Sequence, residues 1–144
     1  MTLLFSLRDR LERVPLSIVQ LLMRVAVGLV FFRAGLLKAA SWEITVKLFE
    51  DEYKVPLLAP AVAARMAMVQ ELTLPILLFL GLATRVATLP LFGMIFVIQT
   101  FVYPDAWGDH LLWGSMLLFL LVRGAGTFSL DHVLFRSRSP RSVR

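Results

Sequence analysis

The sequence predicts an all-α integral membrane protein, a four-transmembrane-helix bundle with a short outer amphipathic helix between helices 1 and 2. Three observations carry this. Apolar residues make up 58% of the 144 residues, and the mean hydropathy is +0.78; soluble domains sit nearer ~45–50% apolar. Apolar runs of spanning or near-spanning length alternate with short turns rich in Pro, Gly and Asp. The ionisable residues are few inside those runs and crowd their ends.

The chain divides into a cytoplasmic N-terminal segment, residues 1–15, a membrane domain, residues 16–135, and a disordered basic tail, residues 136–144. The N-terminal MTLLFSLRDRLERVP carries Arg8, Arg10 and Arg13 beside Asp9 and Glu12, a pattern that suits a membrane surface. The apolar run behind it is too long for a signal-peptide core and is interrupted by Arg24, so it reads as an uncleaved first helix. Pro15 suits the start of that helix, which is predicted over residues 16–37. Residues 41–54 place Trp42, Val46, Phe49 and Tyr53 on one helical face and Glu43, Lys47, Glu50, Asp51 and Lys54 on the other. Glu43 with Lys47 and Glu50 with Lys54 are favourable i,i+4 pairs. This is the amphipathic helix, ended by Pro56.

The second spanning helix is predicted over residues 59–80, interrupted at Pro75. Gly81-Leu82-Ala83-Thr84-Arg85 is a tight turn, with Thr84 as N-cap of the third helix. That helix holds Pro90 early and ends near Tyr103-Pro104. The fourth is predicted over residues 110–122, with Trp107 as an alternative start. Residues 124–135 and the Ser- and Arg-rich end follow as a tail.

The N-terminal segment and the tail are basic, the second turn has Arg85, the first loop mixes both signs and is slightly acidic, and the third loop has neither Lys nor Arg. Cytoplasmic termini and an inner-membrane location follow. Trp42, Tyr53, Tyr103, Trp107 and Trp113 then fall at the outer interface. The net charge of +5 is explained by this topology rather than by nucleic acid. Cys is absent, which excludes disulfides, thiol chemistry and cysteine metal sites. No phosphate-binding, dinucleotide, zincin or hydrolase motif is present. Met66, Met68, Met94 and Met116 read as core packing. His110 and His132 fall at opposite membrane faces, too far apart for one haem, and no metal site is predicted.

The charges inside the runs point to function. A cation at the centre of a span costs roughly 2.5–3.5 kcal/mol on insertion scales, so such side chains turn inward or reach for headgroups. Arg24 and Glu71 both lie ~12–15 Å from the inner ends of their helices at 1.5 Å per residue, and are expected to pair. Gly28, Gly35 and Lys38 share the Arg24 face within about 40°, forming a small-residue seam. The predicted polar core is Arg24, Lys38, Glu71 and Gln70. Arg33 and Arg65 lie near the outer third, at the level of Gln99. They either snorkel or, with Gln99, Trp107 and His110, form a site for an anion or a quinone carbonyl.

Three stretches give the chain a likeness. They are RVAVGLVFFRAGLLK (Arg24, Gly28, Gly35, Lys38), QELTLPILLFLGLATRVATL (Glu71, Gly81, Arg85) and RGAGTFSLD (Gly124, Gly126, Ser129, Leu130, Asp131). In this order and spacing they resemble the DoxX family of small four-helix bacterial membrane proteins, although many relatives have Pro where Ala125 stands. The resemblance implies an inner-membrane protein associated with redox partners, in some relatives with quinone. FEDEYKVPLL and FVYPDAWGDHLLWG are similar to a subgroup encoded beside copper-binding peptide genes. Three functions stay open: a quinone-linked redox subunit working with other proteins or as a homo-oligomer, a non-enzymatic accessory for copper-peptide export or metal stress, and, ranked last, a small transporter that would need a dimer for its pathway. The resemblance assigns no catalytic residue.

Overall fold

The computed structural model describes residues 13–136. The expected surface segment before Arg13 and the expected disordered tail after Arg136 lie outside the described residues. Among the described residues the fold is all helix: α1 Leu16–Ala40, α2 Trp42–Leu48, a π-turn Phe49–Tyr53, α3 Pro60–Leu80, α4 Thr84–Val97 continued by a second π-turn Ile98–Val102, α5 Trp107–Arg123 and α6 Leu130–Arg136.

Three helical stretches are long and apolar enough to cross a membrane: Leu16–Ala40, Pro60–Leu80 and Thr84–Val102. At 1.5 Å per residue each is about 28 Å or longer, close to the ~30 Å hydrocarbon core. The 17 residues of α5 reach only about 25 Å. The sequence predicts four crossings; three helices meet the length requirement.

α1, α3, α4 and α5 nevertheless share one core. Val27 and Phe31, Leu78, Leu91 with Ile95, and Leu117 with Leu120 come from these four helices and are buried together. Lipid tails are as apolar as leucine, so close packing and hydrogen bonding hold such helices rather than escape from water. Gly28 and Gly35 make this possible between α1 and α3. A Cβ on Gly35 would lie 2.9 Å from the Cβ of Glu71, and one on Gly28 would overlap the Phe79 ring. α2 and its π-turn lie across the start of α3, where Phe49 is buried with Ala63 and Ala64 and Trp42, Val46 and Tyr53 pack around them. The apolar face read from the sequence is the face that packs. The two expected i,i+4 ion pairs do not close; among the described residues the recorded pair is Lys38–Glu71. Glu43, Lys47, Glu50 and Lys54 are exposed, and such pairs are worth little in water.

α3 continues through Pro75, where the sequence suggests an interruption. It stops at Gly81, whose φ of 65° is left-handed. Leu82 N donates to Leu77 O at 2.9 Å and Gly81 N to Leu78 O at 3.1 Å, the paired bonds that close a helix on glycine. Thr84 does not cap α4. Its hydroxyl is buried without a partner, and the cap comes from far along the chain. Asp131 accepts from Ala83 N at 2.7 Å and from Thr84 N at 3.0 Å. A carboxylate at a helix N-terminus satisfies free amides and opposes the helix dipole.

Residues 124–136 are not a loose tail. They fold back beneath the ends of α1, α3 and α4. Gln20 Nε2 donates to the carbonyls of Arg123 and Gly124, Arg85 donates to Val122 O, and Asp131 N donates to Gly81 O at 2.9 Å. Arg24, fully buried, donates from Nη1 to Leu78 O at 3.1 Å and from Nη2 to Phe128 O. The expected Arg24–Glu71 pair is therefore absent. The reason is register. Gly28 faces Phe79 and Gly35 faces Glu71, so on this antiparallel pair Arg24 sits at the end of α3. The free carbonyls there take its guanidinium.

Two substitutions test this end of the fold. Gly81→Ala forces a Cβ into the Arg24 guanidinium and Ser129 in a left-handed backbone. Its loss in stability should exceed the ~1 kcal/mol of the backbone effect alone, whereas Gly93→Ala, inside α4 with open space around it, should be neutral or stabilise by up to ~1 kcal/mol. Asp131→Ala should cost about 1 kcal/mol, the usual loss of a helix cap. Thermal unfolding of the detergent-solubilised protein measures all three.

Candidate functional site

At the opposite, loop-bearing end the four long helices part around a cavity of about 570 Å³, within the usual small-molecule range of ~300–1,000 Å³. Small residues make the room: Ala34 on α1, Ala63 and Ala67 on α3, Gly93 on α4. The two π-turns form its upper wall through Phe49, Tyr53, Ile98 and Val102, joined by Tyr103. A π-turn adds a residue to a helical turn and rotates the side chains beyond it. Here both turns bring their side chains onto the same space.

The lining is mostly apolar, with polar groups at separate places. Lys38 Nζ donates to Glu71 Oε1 at 2.8 Å. Glu71 Oε2 is buried without a partner. Gln70 lines the same wall. On the far side stands His110, 4% exposed. Its Nδ1 lies 2.5 Å from Gln99 Oε1, while Gln99 Nε2 donates to Pro104 O at 2.6 Å. The Pro104 contact uses the Gln99 amide N–H, so the facing Oε1 must accept. Nδ1 of His110 therefore carries the proton, and Nε2 is the free acceptor in the neutral ring. Trp113, one turn on, packs edge-on against His110 at 5.5 Å and Phe31 at 5.9 Å.

Of the predicted residues, the structure brings Lys38, Gln70, Glu71 and His110 to the cavity, with Gln99 behind His110. Arg24 is at the other end of the molecule. Arg33 is exposed and outside the lining. Arg65 is exposed, lies 5.6 Å over the Trp42 ring and borders a second, shallower cavity of about 480 Å³. Trp107 is 58% exposed and lines neither. The cationic pocket of Arg33, Arg65 and Gln99 is thus not assembled: the two guanidiniums sit on outward faces, where charge stays solvated. Trp113, expected at the interface, stands inside, because α5 already begins at Trp107. Its signal is its spacing, three residues after His110 on one helical face. Among the described residues no three His, Asp or Glu side chains converge as metal ligands.

The roof is latched by phenols. Tyr103 Oη lies 3.3 Å from both Glu52 Oε1 and Tyr53 Oη, and the two rings meet edge-to-face at 5.8 Å. Burial first, and then the Tyr103 hydroxyl, push the Tyr53 pKa well above that of an ordinary tyrosine. The folded state then holds this proton more tightly than the unfolded state. Its contribution to stability is intact below about pH 10, the ordinary tyrosine value, and declines as pH rises above it. Tyr103→Phe leaves Tyr53 as the sole tyrosine of two. Its phenolate absorbance should still appear only above the ordinary range, since burial is the larger cause.

The DoxX family model matches residues 19–104. No curated protein and no solved structure matches the chain. The matched stretch runs from the first turn of α1 through the second π-turn. It includes Lys38, Glu71, Gln99 and most of the cavity wall, and leaves out α5 with His110 and Trp113. With more than half of its length matched and three helices able to span a bilayer, the chain belongs to the DoxX family of membrane proteins.

Proposed function

We propose that this protein is a quinone-binding subunit of the bacterial inner membrane, serving redox partners rather than working alone. The observation that carries the reading is the cavity: an apolar, aromatic-walled space at the level of the spans, with Lys38–Glu71 on one side and His110 on the other. An apolar ring with two polar ends has this pattern. Glu71 Oε2, buried and unpartnered, is the orphaned polar atom that a bound group would satisfy.

When bound, a quinone supplies two-electron, two-proton chemistry. Lys38 uses one of three N–H donors on Glu71 and has others for a ring oxygen. His110, held in one tautomer by Gln99, accepts or returns a proton at Nε2. Glu71 fixes the Lys38 ammonium and offers its second oxygen to a proton. Phe31 and Trp113 shape the wall and exclude water. The electrons come from a partner protein.

The remaining features fit an inner-membrane subunit. α5 would be a fourth, short crossing, with Trp107 in its first turn and Arg123 in its last turn reaching the two surfaces. The Lys and Arg distribution supports cytoplasmic termini. The segments FEDEYKVPLL and FVYPDAWGDHLLWG border the roof of the cavity, so the likeness to the copper-peptide subgroup falls on the parts that would meet a partner.

A double substitution separates binding from stability. Lys38→Met alone strands the Glu71 carboxylate and should cost about 3–5 kcal/mol. Lys38→Met/Glu71→Met should recover the melting temperature yet still bind a decyl-tailed benzoquinone at least roughly tenfold more weakly, one lost charge-assisted hydrogen bond. Saturable quenching of Trp113 fluorescence reads the affinity. Unchanged affinity in the double variant, or no saturable quenching in the parent, defeats the proposal.

A further inference from the structure

We infer that the cavity fills sideways from the lipid, through a gap between α3 and α4, and that the hydrocarbon tail of the ligand stays in that gap. The ring identity rests on the quinone reading; the route does not. Exposed lining residues mark where the cavity wall is open. Leu58 and Tyr103 mark it at the loop end. Met66 on α3 and Pro90 and Gly93 on α4 mark it along the helices. All three lie inside spans, and Gly93 is the midpoint of Thr84–Val102. The break therefore opens at bilayer depth, where only a lipid-phase molecule arrives.

The shape of the gap has a local cause. α3 and α4 are joined by the tight turn at Gly81–Ala83 and separate above it. Gly93 keeps the upper part open: a Cβ built there meets no atom within 4 Å. The core face of α4, through Leu91 and Ile95, is turned away from this side, so nothing from α5 fills it.

The polarity decides the orientation of the occupant. Lys38, Glu71 and His110 lie inward, while the gap offers only methionine, proline and glycine. A molecule with its polar head inward and its hydrocarbon in the gap matches both surfaces. The cavity volume of about 570 Å³ suits a substituted ring with a short length of chain, not a long tail. The second cavity, about 480 Å³ along the outer side of α3, shares Met66 and Gln70 with the first. It continues the path for the rest of the chain. The other way in, from the loop end, is narrowed by Phe49 and the Tyr53–Tyr103 contact beside exposed Leu58, and a substitution at Gly93 leaves that way unchanged.

The test uses the full chain in liposomes with Trp42→Phe and Trp107→Phe, so that Trp113 is the sole tryptophan of three. Phosphatidylcholine brominated at the middle of an acyl chain is the first probe. Trp113 should be quenched, and Gly93→Phe should remove most of that quenching with the melting temperature unchanged. Leu89→Phe, on an exposed part of α4 outside the lining, should leave it unaltered. Decyl-tailed benzoquinone is the second probe: its association, followed by stopped flow, should slow roughly tenfold in Gly93→Phe. Equal bromolipid quenching with and without Gly93→Phe, or none in the parent, overturns the lateral route. The expected bromolipid result together with no saturable quinone quenching supports the route and sinks the quinone reading alone.

Discussion

A guanidinium held at both terminal nitrogens by main-chain carbonyls leaves a carboxylate elsewhere free for a different partner. Arg24 takes Leu78 O and Phe128 O at the end of α3, and Glu71 takes Lys38 more than two helical turns away. In a low-dielectric interior each buried ion must find its compensation within the protein. Because these two ions do so separately, the molecule has two polar regions instead of one. The region at the ends of the chain is closed and structural. The region near the loops borders open space.

The closed region is built by the last described segment of the chain. Glycine at Gly81 and the return of residues 124–131 place an aspartate on two amides of α4, a serine hydroxyl on the start of α6 and a backbone amide on Gly81 O. Each contact satisfies a backbone group left over where a helix ends. This sews α1, α3, α4 and α5 together at one end and allows them to diverge at the other. The cavity is a consequence of that divergence and of alanine and glycine at its walls. The π-turns then direct Tyr53, Phe49 and Val102 across its upper side.

Much of the outline can be read directly from residue order. Apolar runs and their breaks place the helices, and the observed limits differ by a few residues. The small-residue face of α1 and the packing face of the amphipathic helix follow from 3.6-residue spacing, which depends only on neighbours in the chain. The Lys38, Gln70 and Glu71 group is visible because polar residues in a span either turn inward or reach for headgroups. The departures share one origin. Counting from helix ends matches Arg24 to Glu71 only if the ends of α1 and α3 are level, and they are not. Thr84 is the local candidate for a cap, but a residue 47 positions away holds that place. Depth alone puts Arg33 and Arg65 beside Gln99, yet depth does not say which faces the neighbouring helices cover.

The sequence by itself determined the helical class, the membrane-spanning character of the long runs, and which side chains are costly in lipid. Those properties follow from local periodicity and from the cost of an unpaired charge in hydrocarbon. Only the tertiary structure decided which partner each charge takes, that Gln99 holds Nδ1 of His110, and that Gly93 reaches the cavity wall. These depend on the axial offset between antiparallel helices and on a returning segment distant in sequence. Neither is encoded in the spacing of any one helix.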